Sequence, residues 1–353
     1  MENFHVWTIE SGEVLHMRYK LIGLLSACTM IFLIIYRQIV LQAAADGIAL
    51  CIQTVVPTLF PFLIFSSLLN DSLMGQQLRL LAPLARLLRI PSAGLPLLVT
   101  GFLGGYPTGA TGIAHAIQTG RLHRQDGLRM MAFASNAGPA FIFGIGMTLF
   151  KDFRTCTLLW AIHMISALIV ALLTPGAPIT DNVDTTPQSI SITKSLQRSV
   201  SVMAMICGWI VLFRVIICVA ENWFVQMGNV QWSSWLLSTL EITNGICGLL
   251  LLQDYSMKMV AFSVLLGFGG CCVYLQTKSV CGNLGTGLYL PGKVTHAVVS
   301  GVLAYLVQLQ LDQTPVYGKC LILILMCAML CIIYHIFARK YMKMSSNFLP
   351  DRV

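Results

Sequence analysis

Charge is what this sequence has least of. Lys, Arg, Asp and Glu make up 10% of its 353 residues, where about 25% is usual in a soluble domain. With 56% hydrophobic residues, the chain is excluded from the soluble globular class and expected in a membrane. Catalytic signatures are missing too. There is no HExxH, no GxSxG and no convincing aspartate pair, which leaves an intramembrane hydrolase with little support. Walker A is absent, so any transport is secondary and not driven by ATP on this chain. The twelve cysteines form no CxxC pair and no Cys/His ligand spacing. They fall mostly inside apolar segments (Cys28, Cys51, Cys207, Cys218, Cys271, Cys272, Cys331) and read as small buried hydrophobes. No cofactor and no metal is expected. Leu21–Tyr36 lacks a small-residue cleavage site and reads as an uncleaved first span rather than a signal peptide. The formal charge of +8 comes from short basic clusters between apolar runs. These are topology signals and headgroup contacts, so membrane lipid is an expected partner and nucleic acid is not.

Glycine and proline are concentrated where they matter. Gly101–Gly112 packs five glycines and Pro107 between the apolar flanks Leu95–Thr100 and Ile113–Thr119. Glycine allows unusual backbone angles, and Pro107 discourages helix at Tyr106. Irregular backbone at membrane depth must be buried in protein or line a polar cavity. Two arms of about ten residues span roughly 15 Å each, so Leu95–Thr119 is expected to be a re-entrant hairpin with its tip near the midplane. Equal basic flanks, Arg79, Arg86 and Arg89 before and Arg121, His123, Arg124 and Arg129 after, favour entry and exit on one side.

The other expected spans are Ala43–Leu69, broken at Pro57 and Pro61; Leu128–Phe150, unwound around Ala134–Ala140; Leu158–Leu173; Ser199–Val219; Leu288–Val307, with an early Pro291-Gly292 break; and Leu321–Phe337. Leu78–Ile90 reads as an interfacial amphipathic helix. Trp223, Trp232 and Trp235 read as interfacial anchors. Thr174–Gln197 is the one long polar linker. Across it the halves run in parallel, the hairpin matching Met259–Thr277 with its Gly267-Phe-Gly-Gly270, and Leu128–Phe150 matching Leu288–Val307. Paired interrupted segments of this kind point to a transporter's binding site. Three crossings per unit would invert the two units. That arrangement is expected, although it places Arg339, Lys340 and Lys343 outside if Arg18 and Lys20 are inside. The positive-inside rule opposes it, and a further crossing at Leu236–Leu252 would bring the C-terminus back.

Four motifs occur in order: Gly104-Gly-Tyr-Pro-Thr-Gly-Ala110, Phe133-Ala-Ser-Asn-Ala-Gly-Pro-Ala-Phe141, Glu241-Ile-Thr-Asn-Gly245 and Gly267-Phe-Gly-Gly270. Together they resemble the sporulation integral membrane proteins of the YlbJ type, whose units are called nucleoside-recognition or "Gate" domains, over about Ala43 to Phe337. Gate domains are similar to parts of concentrative nucleoside transporters and of the ferrous-iron transporter's membrane region. The resemblance implies an all-α polytopic membrane protein with two repeated, inverted units, re-entrant hairpins and broken helices, in the cytoplasmic membrane of an endospore-forming bacterium. Its parts would be a polar segment 1–20, a first span 21–42, Gate-like units 43–173 and 199–338 joined by a linker 174–198, and a tail 339–353. The sequence departs from the family pattern at Thr111 and His115, where a basic residue and an acid are expected, and at Cys271, Cys272 and Tyr274.

The candidate site comprises Gly104, Gly105, Tyr106 and Pro107 at the tip, Ser135 and Asn136 at the unwound helix, Glu241 and Asn244, and Gly269 and Gly270. Asn136 has two readings, satisfying backbone groups freed by the break or hydrogen-bonding a solute. Glu241 and Asn244, three apart on one helical face, are functional if buried and merely solvated if interfacial. Arg214 either pairs with Glu241 or snorkels. His115 reads as a packed or headgroup-facing imidazole before a ligand. Lys293 and His296 either face the cavity or lie at the interface, and Asp46 reads as a helix-start residue. A donor and acceptor at Asn136, a hydroxyl at Ser135 and the ring of Tyr106 suit a small polar solute such as a nucleoside. Two functions compete: a transporter or transporter-like protein, and a non-transporting structural protein of spore-envelope assembly. A homo-oligomer is left open.

Overall fold

The computed structural model describes residues 2–73, 76, 78–176, 191–226, 237, 239–311 and 319–348, and every regular element within them is a helix. Apolar runs that meet lipid must satisfy each backbone N–H and C=O internally, which a helix does within one segment. Helix α1 (Glu2–Ile35) leads into α2 (Arg37–Leu50), and a π-helical turn at Cys51–Val55 joins α2 to α3 (Val56–Leu73). The expected break at Pro57 and Pro61 does not occur. Pro57 lacks an N–H and its ring crowds the carbonyl four residues back, and the wider turn falls just there. A 3₁₀ turn at Arg79–Leu81 precedes α4 (Ala82–Leu88), and the two expose Leu80 and Leu87 respectively.

Helices α5 (Gly94–Gly104) and α6 (Thr108–Gln118) fold back on one another as the expected hairpin. Helix α7 (Arg124–Met130) is followed by non-helical backbone to Gly138, and then by α8 (Pro139–Phe150). Pro139 opens α8, where its missing N–H has no partner to lose, so the unwinding falls on its N-terminal side. The hairpin lies against this unwound stretch. A side chain at Gly101 or Gly109 would collide with the Ala134 carbonyl oxygen, so only glycine permits the approach.

Helix α9 (Phe153–Leu173) is capped by Asp152, whose carboxylate accepts from the Arg154 and Thr155 N–H groups. Helix α10 (Ile192–Gln226) begins within the expected linker; the rest of that linker after Gly176, with Trp232 and Trp235, lies outside the described residues. Then come α11 (Ile242–Gly248), α12 (Tyr255–Phe268), α13 (Gly270–Cys281), α14 (Tyr289–Leu311) and α15 (Lys319–Phe348). Among the described residues, six segments are long and apolar enough to cross a membrane: Arg37–Leu73, Phe153–Leu173, Ile192–Gln226, Tyr255–Leu284, Tyr289–Leu311 and Leu323–Ser345.

Contacts fix which ends share a side. At one end Arg124 donates to the Leu284 carbonyl (2.8 Å), Gln125 to the Met342 carbonyl (3.1 Å), and Thr174 meets the Tyr334 hydroxyl (2.7 Å). At the other, Tyr255 meets Thr155 (2.7 Å) and Trp223 donates to Tyr36 (3.2 Å). Three expectations change as a result. The second Gly-rich stretch is a broken crossing and not a hairpin, because α12 packs along α14 and α9 instead of folding back on α13. Helix α14 runs unbroken, since Pro291 falls in its first turn. Arg339, Lys340 and Lys343 lie at the same end as Arg124, against the expected placement of the C-terminus on the opposite side from that cluster. Tyr255–Leu284, rather than Leu236–Leu252, is the segment long and apolar enough for the additional crossing.

Two basic residues find partners that the sequence reading did not name. Arg129, read as a topology signal, is 1% exposed. Its guanidinium donates to the carbonyls of Leu88 (2.7 Å), Arg89 (2.9 Å) and Thr174 (2.9 Å), closing the C-terminal ends of α4 and α9. Arg214 pairs with Asp46 at 3.7 Å, and Asp46 lies well inside α2 rather than at a helix start.

Candidate functional site

The hairpin tip and the unwound helix meet at Gly105 and Gly138. Gly105 has φ +81°, and a Cβ on it would stand 3.0 Å from the Gly138 nitrogen. Tyr106 follows, joined to Pro107 by a cis peptide, and its hydroxyl donates to the Leu266 carbonyl at 2.8 Å. This contact fastens the first hairpin to the second Gly-rich stretch, where Gly269 (φ +79°) lies against the Tyr106 ring.

Gly270 packs against the backbone of Leu240 and Ile242. Its neighbours Cys271 and Cys272 donate backbone N–H bonds to the carbonyls of Thr239 (3.0 Å) and Leu240 (2.8 Å). The first turn of α13 therefore holds the chain that carries Glu241. That carboxylate is 2% exposed and accepts the Thr243 N–H at 3.0 Å, at the N-terminal end of α11. Burial excludes the merely solvated reading of Glu241. The Asn244 side chain lies outside the described residues.

These pieces line a half-open cavity of about 190 Å³. Gly105, Tyr106, Gly138 and Glu241 line it, with Thr54 and Thr58 from the π-turn and α3, and Gln276 and Thr243 add polar groups. Apolar side chains such as Phe141, Ile145, Ile206 and Ile210 make up much of the remaining wall. Of the sequence candidates, Gly105, Tyr106 and Glu241 are thus brought together around one space.

Ser135 and Asn136 lie behind that lining, both 0% exposed. Asn136 Nδ2 donates to the Phe133 carbonyl (2.6 Å) and its Oδ1 accepts from Lys293 Nζ (2.8 Å). The amide satisfies the break and holds a lysine, which is the structural one of its two readings. His163 Nε2 accepts the Ala137 N–H at 3.1 Å, serving the same unwound stretch. Gly104 and Pro107 are likewise buried in the hairpin. Lys293 and His296, both fully buried, face this inner layer and not the interface.

The sequence reading passed over His163, Thr54, Thr58 and Gln276. An ionisable residue inside an apolar span is functional by default, which was a signal for His163. Thr54 and Thr58, four apart beside Pro57, share a helical face. Nothing in the sequence ties Gln276 to them. Among the described residues, no group of three His, Cys, Asp or Glu side chains could hold a metal ion.

Fold and site define the class: an all-α polytopic membrane protein in which a helical hairpin and two broken helices line a half-open cavity. Over 160 residues, 43% of its length, the chain is 31% identical to the sporulation integral membrane protein YlbJ of Bacillus subtilis (strain 168). The match covers 39% of that relative. No family model matches the chain, and no solved structure matches it.

Proposed function

We propose that this chain is an integral membrane protein needed for endospore formation, in the cytoplasmic membrane of its host, and that it binds a small polar solute in the cavity at Tyr106 and Glu241. The observation that carries the solute reading is the convergence of the hairpin tip, the unwound helix and a buried carboxylate on one space. Irregular backbone at membrane depth is tolerated where it lines a polar cavity, and a solute-binding function accounts for its meeting the Glu241 carboxylate there. Tyr106 offers a ring face, since its hydroxyl is bonded to Leu266. Glu241, Gln276 and the threonines offer acceptors and donors to a nucleoside-like molecule. Similarity to the Bacillus relative supports the sporulation role.

Gly144 provides the test. It lines the cavity, and a Cβ there meets nothing within 4 Å. Gly144→Phe therefore adds a ring at the cavity lining without meeting the packed core. In a deletion strain, the wild-type gene should restore heat-resistant spores, whereas Gly144→Phe at normal abundance should lower their yield at least tenfold. Full spore yield from Gly144→Phe would refute the solute reading and leave the structural role in spore-envelope assembly.

A further inference from the structure

Lys293 is 0% exposed, and among the described residues no carboxylate lies within ion-pair distance of it. Its Nζ donates one hydrogen bond, to Asn136 Oδ1 at 2.8 Å. It stands 5.1 Å from the Tyr106 ring centre and 5.7 Å from that of Tyr289. An ammonium here is supported by neutral dipoles and ring faces alone. Beside it, the rings of His163 and His296 stack at 4.4 Å and 25°. His163 accepts at Nε2, so its proton is on Nδ1; His296 Nε2 is 3.0 Å from the His163 carbonyl, which only accepts, so its proton is on Nε2. Both Nδ1 atoms are buried without a partner. One is therefore an unused donor and the other an unused acceptor.

We propose that Lys293, flanked by the His163–His296 pair, is a proton-exchange site linked to the cavity through Tyr106. The proposal rests on the cavity reading above for its link to solute, but not for the site's chemistry. In the step, the Lys293 ammonium gives one proton to a water, leaving a neutral amine and a hydronium that departs; the reverse step reloads it. The amine can still donate to Asn136 Oδ1, so both states keep the same framework. Tyr106 lines the cavity while its ring supports the ammonium, so a solute that shifts the ring changes the balance between the two states.

The titratable groups facing Lys293 are few. Tyr106 comes from the hairpin tip and His163 from α9, while Tyr289 and His296 share its helix, with Tyr274 of α13 against Tyr289. Helices α12 and α15 also pack on α14, but Tyr255 is bonded to Thr155, Tyr334 to Thr174 and His335 to the Leu173 carbonyl, all at the ends of α9. Arg129 is committed to the carbonyls of α4 and α9.

The test uses the full chain in lipid nanodiscs, with melting temperature followed from pH 5 to 10. The difference profile between wild type and Lys293→Met should contain a one-proton step, and the exposed control Lys340→Met should match wild type. Asn136→Asp, which sets a carboxylate against Nζ, should displace the midpoint by about one pH unit or more. A flat difference profile overturns the proposal. If Lys293→Met does not fold, Asn136→Asp decides, and an undisplaced midpoint overturns it. Failure of the cavity reading is distinguishable, since full spore yield from Gly144→Phe leaves this step in place and removes only its link to solute.

Discussion

Asn136 uses both ends of its amide on the protein itself, and Arg129 uses its whole fork. Asn136→Ala leaves the Phe133 carbonyl and Lys293 Nζ without their partner in a buried setting, at about 1–3 kcal/mol for each unsatisfied group. Abundance and melting temperature should fall together. An unchanged melting temperature would refute the structural role. Arg129→Ala orphans the terminal carbonyls of two helices and should cost about 3 kcal/mol or more, read from thermal unfolding. Arg129→Lys should recover little, because an ammonium cannot present the flat fork that reaches Leu88 and Thr174 together.

At the scale of elements, the hairpin and the unwound helix form one unit, since glycines on both hairpin arms touch the Ala134 carbonyl. Gly109→Val should abolish monodisperse protein in detergent, while Gly144→Phe should elute as wild type. Both replace glycine by a larger side chain, but one meets backbone and the other open space. Equal loss of both would show that the hairpin packing is not the cause. The hairpin was legible in the sequence because Gly104-Gly105-Tyr106-Pro107 cannot continue a helix and two short apolar arms flank it. Gly269-Gly270 carries a similar local signal with a different outcome. Whether two arms fold back or continue depends on what packs beside them, and α12 finds α14 and α9.

For the whole molecule, the shared end of Gln125 and Met342 sets the topology. In a chain with its twelve cysteines replaced, single labels at Gln118→Cys and Lys340→Cys should react with an impermeant reagent from the same side, and Lys151→Cys from the other. By the positive-inside rule, the first two are cytoplasmic. Labelling of Lys340→Cys with Lys151→Cys would refute this placement of the C-terminus.

Composition alone determined that the chain is helical and membrane-embedded, because scarce charge and long apolar runs leave no other way to satisfy the backbone in lipid. Glycine and proline determined where helices fail, since their limits on φ and on N–H donation are local. Partnership was decided only in three dimensions. Lys293 and Asn136 are 157 positions apart, and so are not linked by any period or spacing. Glu241 became a buried lining residue because two backbone bonds from Cys271 and Cys272 draw its segment inward. The side of the C-terminus followed from packing in the same way. One local pattern of glycines is compatible with a hairpin or a crossing, and the neighbouring helices selected between them.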